Sequence, residues 1–81
     1  MANKSLNDKY GIPFTSEWKD KDGGIYMVLL VEHAFKKSKI PIVSYLKILS
    51  DEEREYYINN NIKNQFVRTV EHFKNSFTKI Q

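Results

Sequence analysis

The clearest order in this chain is an apolar stripe in its last third. Ile58, Ile62, Phe66, Val70, Phe73, Phe77 and Ile80 are spaced by 4, 4, 4, 3, 4 and 3 positions, and no Gly or Pro interrupts residues 51–81. Such spacing keeps to one side of a 3.6-residue helix and predicts a helix over about 51–80. Ser50-Asp51-Glu52-Glu53 opens it as a capping box, in which the Ser50 hydroxyl accepts from the backbone three residues on and Glu53 reaches back. The acids of that first turn also suit the positive end of the helix dipole. Asn59-Asn60-Asn61 is the weak point, because Asn favours caps and turns, and the helix either runs through it or divides there.

Two shorter stretches follow the same period. Met27, Leu30, Val31, Ala34 and Phe35 fall at i, i+3, i+4, i+7 and i+8 and predict a helix over 25–37. Ile42, Tyr45, Leu46 and Leu49 mark one face of a helix over 41–49, with Pro41 at its first position. The expected fold class is therefore all-α, a small helical bundle of three to four helices. A rival pattern overlaps the first of these segments. Ile12, Phe14, Ser16 and Trp18 alternate, a KDKDGG turn follows, and IYMVLLV is rich in β-formers; together they describe an α+β fold with an N-terminal β-hairpin over about 12–32. Residues 1–14, polar and broken by Gly11 and Pro13, read as a loosely ordered arm of a single domain spanning 1–81, pinned by Tyr10, Ile12 and Phe14.

Length turns the stripe into an expectation about partners. A helix of about 30 residues is about 45 Å long, whereas a domain of this size has a radius of gyration near 12 Å. An unbroken last helix would overhang its own domain and expose Phe73, Phe77 and Ile80 unless another protein or a second copy covered them. Tyr56 and Tyr57 stand just after the acidic turn and add aromatic contact area of the kind enriched in interfaces. The candidate partner-binding residues are thus Tyr56, Tyr57, Phe73, Phe77 and Ile80.

Composition narrows the function classes. Five Phe, five Tyr and one Trp give a short chain enough bulk for a core. The chain has no cysteine, which removes disulfides, thiolate nucleophiles and Cys-based zinc sites together. The longest apolar run, 25–31, is seven residues, against roughly 20 for a membrane-crossing helix. The first dozen residues have no apolar segment of the secretory kind. A cytoplasmic protein without a membrane role is expected.

Reactive groups are sparse. His33 and His72 each follow a Glu, but neighbours i and i+1 diverge by about 100° on a helix and make no ligand pair. The glycines Gly11, Gly23 and Gly24 form no phosphate loop, and Asp20, Asp22 and Gly23 lack the later ligands of a calcium loop. No serine sits in a nucleophile elbow. The sequence thus predicts a non-enzymatic protein with no metal or cofactor. The expected role is that of a small regulator or inhibitor, of the type carried by phages and mobile elements, binding another protein through its last helix or forming a homodimer. The net charge of +3 supports one alternative, a nucleic-acid-binding regulator with Lys36, Lys37, Lys39, Arg68 and Lys74 on phosphates.

Overall fold

A computed structural model describes residues 5–34 and 39–80. Strands dominate it, and the expected all-α bundle is not what forms. The elements are α1 (Leu6–Lys9), β1 (Glu17–Lys19), β2 (Ile25–His33), β3 (Pro41–Lys47), α2 (Asp51–Asn59), β4 (Gln65–Thr69), α3 (Val70–Ser76) and β5 (Thr78–Lys79). The strands build one antiparallel sheet in the order β4-β3-β2-β1-β5, so the fold is α+β.

Each misread helix has a physical cause. The segment expected as a helix over 25–37 is β2 as far as His33, hairpinned to β1 through Glu17↔Met27, Trp18↔Tyr26 and Lys19↔Ile25. Asp20 shapes the turn: its Oδ1 accepts from the N–H of Asp22 at 3.0 Å and of Gly24 at 2.8 Å. Gly23 takes φ +90°, which a side chain would resist. β2 pairs regularly with β3 on both sides of an irregularity between Val28 and Val31. β2 carries one extra residue there, so Val28 and Val31 point into the same core although they stand three apart. A bulged strand thereby reproduces the i, i+3 spacing of a helix.

Asn7 on α1 fills the gap the bulge leaves. Its Oδ1 accepts from the Val31 N–H at 3.1 Å and its Nδ2 donates to the Leu29 carbonyl at 3.3 Å. The side chain is buried, and both of its polar ends are satisfied by backbone that has no strand partner. Ile12 is also fully buried, with Leu6 and Tyr10 packed against the core, whereas Phe14 is exposed.

The segment expected as a helix over 41–49 is β3, paired to β2 on one side and to β4 on the other. The long helix expected over 51–80 is divided into α2, β4, α3 and β5. Its stripe survives because a strand and a helix share it. Phe66 points to the core side of β4, Thr69 caps α3 by accepting from the His72 N–H at 3.2 Å, and α3 then delivers Val70 and Phe73.

The core lies on one face of the sheet, under α1 and α3. It comprises Ile12, Trp18, Val28, Val31, Val43, Tyr45, Val70 and Phe73, with Leu6, Tyr10, Tyr26, Phe66 and Phe77 packed around it. Aromatic rings meet there mostly edge to face, as their quadrupoles prefer. Trp18–Phe73 and Tyr26–Phe77 lie at 5.0 Å, and Phe73–Phe77 stack at 4.6 Å. The Trp18 indole N–H is satisfied by the Ser16 hydroxyl at 2.9 Å. Strand alternation sends Met27, Ile42, Leu46 and Val67 to the opposite face, where none of them is fully buried.

Candidate protein-binding surface

One end of the sheet gathers the turn at 20–24, the last residue of β3 and α2. Helix α2 starts as the sequence indicates: the Ser50 Oγ accepts from the Glu53 N–H and the Glu53 Oε1 accepts from the Ser50 N–H, both at 3.2 Å. It stops where the asparagines predict a weak point. The Asn60 side chain donates to the Tyr56 carbonyl at 2.8 Å, and Asn61 takes φ +54°, a conformation Asn tolerates better than most residues. What sets α2 apart is that none of its residues is buried.

Two depressions flank α2 and meet at Lys47 and Ile48. The first is an apolar groove of about 420 Å3 lined mainly by Leu46, Ile48, Leu49, Tyr57, Ile58 and Ile62. The second, about 550 Å3, is polar and lined by Asp20, Asp22, Tyr26, Lys47 and Glu53 among others. Beside the groove, Ile58 is 68% and Tyr56 60% exposed. Tyr56 and Tyr57 meet edge to face at 6.5 Å, with Tyr57 turned half inward.

The electrostatics of this end are organised around Lys47, whose Nζ lies 3.4 Å from Glu53 Oε2. The Ser50 N–H, with Lys47 beside it, holds the Glu53 carboxyl below its ordinary value against the opposing effect of burial. The Gly24 N–H does the same for Asp20, helped by the Asp22 N–H, the Tyr26 hydroxyl and Lys47. Burial lifts the Tyr26 phenol, and the Asp20 charge lifts it further. Burial works against the Lys47 charge, but Tyr57, Glu53 and Tyr26 outweigh it and hold its pKa above the usual lysine range. These shifts keep both carboxylates and the ammonium firmly charged at neutral pH. Such groups suit ion recognition, whereas acid–base chemistry calls for a pKa near the working pH. Six of the ten acidic residues lie in this region, namely Asp20, Asp22, Asp51, Glu52, Glu53 and Glu55, on a chain whose net charge is positive.

The residues singled out from sequence scatter. Tyr56 and Tyr57 belong to this end. Phe73 is fully buried in the core, Phe77 is half-buried against Tyr26 and Tyr45, and Ile80 lies beside β1, its N–H donating to Glu17 at 2.9 Å. No exposed helical stripe joins them. Of the basic group, Lys36 and Lys37 lie outside the described residues, as does Phe35. Lys39 is exposed just ahead of β3, Arg68 sits on β4, and Lys74 on α3 reaches over Gly11. Sequence reading did not single out Ile58 and Ile62 as surface residues, because the stripe set them apart from its other apolar members in no way. Among the described residues no three His, Cys, Asp or Glu side chains are grouped to hold a metal ion, and no helix is long and apolar enough to cross a membrane.

Comparison of the chain with protein-family models, with curated proteins and with solved structures gives no match.

Proposed function

We propose that this protein is a non-enzymatic interaction module, a small cytoplasmic regulator or inhibitor, that docks another protein against its α2 end. The partner it fits presents an apolar side chain for the groove beside Ile58, flanked by Lys or Arg for the acidic rim of Glu52 and Glu55. One observation carries this reading: a nine-residue helix is presented without burying any residue of its own, and its apolar side chains stand next to an apolar groove. In a fold with so small a core, leaving Ile58, Tyr56 and Ile48 in water forgoes stabilisation that burial would give, and contact with a partner recovers it. Charge complementarity supplies the second half of the argument. An acidic rim on a basic protein speeds encounter with a basic partner and disfavours acidic ones.

A quantitative pull-down from a bacterial lysate tests this with three baits: the wild type, Ile58→Asp, and the double variant Glu52→Lys/Glu55→Lys. The expected result is a protein that survives nuclease treatment on the wild-type bait and is lost from both variants. Equal capture by all three baits overturns the assignment to α2. Recovery that depends on nucleic acid overturns the protein-binding reading itself and transfers the function to the basic remainder of the surface.

A further inference from the structure

The two edges of the sheet are not alike. β5 is a two-residue edge, too short to template another strand, but β4 presents five residues without proline or bulge. The hydrogen-bond phase of β4 follows from its first contact with β3. The Lys47 N–H donates to the Asn64 carbonyl at 2.8 Å, and these two residues continue the β3–β4 register, which makes them a hydrogen-bonded pair. Alternation then directs the backbone groups of Phe66 and Arg68 into the sheet and those of Gln65, Val67 and Thr69 outward. The Arg68 guanidinium curls back and donates to the Val67 carbonyl at 2.8 Å, which fits an oxygen on the open side of the strand.

We infer that this edge pairs with the same edge of a second copy, antiparallel and centred on Val67. The outward set of Gln65, Val67 and Thr69 is self-complementary about that centre. Val67 meets the partner's Val67 and the two exchange both main-chain bonds, while the Thr69 N–H reaches the partner's Gln65 carbonyl from each side. The Thr69 carbonyl stays with α3, where a capping residue's oxygen belongs. Side chains fit the same register. Val67, 48% exposed, lies against its counterpart on the open face, Gln65 faces the partner's Thr69, and Phe66 faces the partner's Arg68 as an aromatic–guanidinium pair on the core side. Lys63 arrives opposite the first turn of the partner's α3, beside the partner's Glu71. Arg68 acts as a latch: in the single chain it covers the Val67 oxygen, and on pairing it yields that oxygen to an N–H and turns to the facing ring. The result is a ten-stranded sheet whose half-open apolar face runs unbroken across the dyad.

Sedimentation equilibrium of the purified full chain over a wide concentration range reads this directly. The wild type is expected to dimerise. Val67→Lys, which sets like charges opposite one another at the dyad, is expected to raise the dissociation constant by at least about tenfold, or about 1.4 kcal/mol. Val67→Pro is expected to do the same by removing an outward N–H that the chain's own sheet does not use. Urea unfolding of both variants checks that the fold persists. Leu30→Lys, an exposed change two strands inward, is expected to leave the dimer intact. A monomeric wild type, or a dimer that Leu30→Lys abolishes and the Val67 variants do not, overturns the inference. The α2 surface is untouched by these substitutions, so the pull-down and the sedimentation result fail independently.

Discussion

Two helices of similar length are held in this protein by opposite means. The seven residues of α3 drive Val70 and Phe73 into the core, where Phe73 meets Trp18, Tyr45 and Phe77. The nine residues of α2 bury none of their side chains and are fixed by a capping box at one end and by Glu53 on Lys47. Helices this short are not stable by propensity alone, so each needs an outside anchor. Aromatic burial anchors α3 to everything around it. Local hydrogen bonds anchor α2 only to its own first turn and to one strand end. The difference separates a scaffold from a presented surface, and it can be tested on each side.

The largest effect belongs to α3. Phe73→Ala is expected to cost about 3–5 kcal/mol, because a fully buried ring leaves a cavity that its ring neighbours cannot fill. For a domain with so thin a margin, that leaves little folded protein at room temperature. Ile58→Ala on α2 is expected to change stability by no more than about 0.5 kcal/mol, as an exposed substitution does. Urea unfolding followed by circular dichroism compares the two. If they cost the same, α2 is part of the core and the contrast between the helices is lost.

The same contrast explains what could be read from the sequence. Ser50-Asp51-Glu52-Glu53 and the three asparagines were legible as the two ends of α2, because capping is chemistry within a few residues. What lay between β4 and β5 was not, because periodicity reports which residues face one side without reporting what backbone carries them. Phe66, Val70, Phe73 and Phe77 do share a core, but a strand supplies the first and Thr69 redirects the chain into a helix for the others. In β2 the bulge imitates a helical spacing, and the strand-forming bias of IYMVLLV was the better guide. The candidate site was half legible for a related reason. Tyr56 and Tyr57 stood out as aromatics among acids, but Phe73, expected at an overhanging helix end, is fully buried, and Ile58, not singled out by the stripe, is exposed.

A middle-sized effect tests the anchor of α2. Ser50→Ala removes the acceptor of the Glu53 N–H and is expected to cost about 1 kcal/mol, in the usual range for a capping serine. The loss should be local. Hydrogen exchange is expected to quicken through α2 while the amides of β2 and β3 keep their protection, since no α2 side chain reaches the core. Uniform loss of protection across the sheet would mean that α2 and the core open as one unit.

The smallest effect is a response to pH confined to the same end. Asp20 and Glu53 both have carboxyls held below their ordinary values in the folded chain, by the Gly24 and Ser50 N–H groups respectively. A depressed carboxylate stabilises the fold at every pH above its unfolded value and loses that contribution as pH falls through the folded one. The window therefore lies at and below the ordinary carboxylate range, near pH 4. Lys47 is raised, so its contribution is present below the ordinary lysine value and is lost only as pH climbs through the higher folded one. Between those limits the end is electrostatically constant, and the binding surface should keep its shape across neutral pH. On acidification the amides of Gly24, Ser50 and Glu53 are expected to shift in NMR spectra before those of Val28 and Val43, which are fully buried in the core. Asp20→Asn with Glu53→Gln should remove the early shifts and leave the later, global transition. Simultaneous movement of both sets in the wild type would show that acid acts on the whole sheet at once, and the charged end would then have no independent stability to lose.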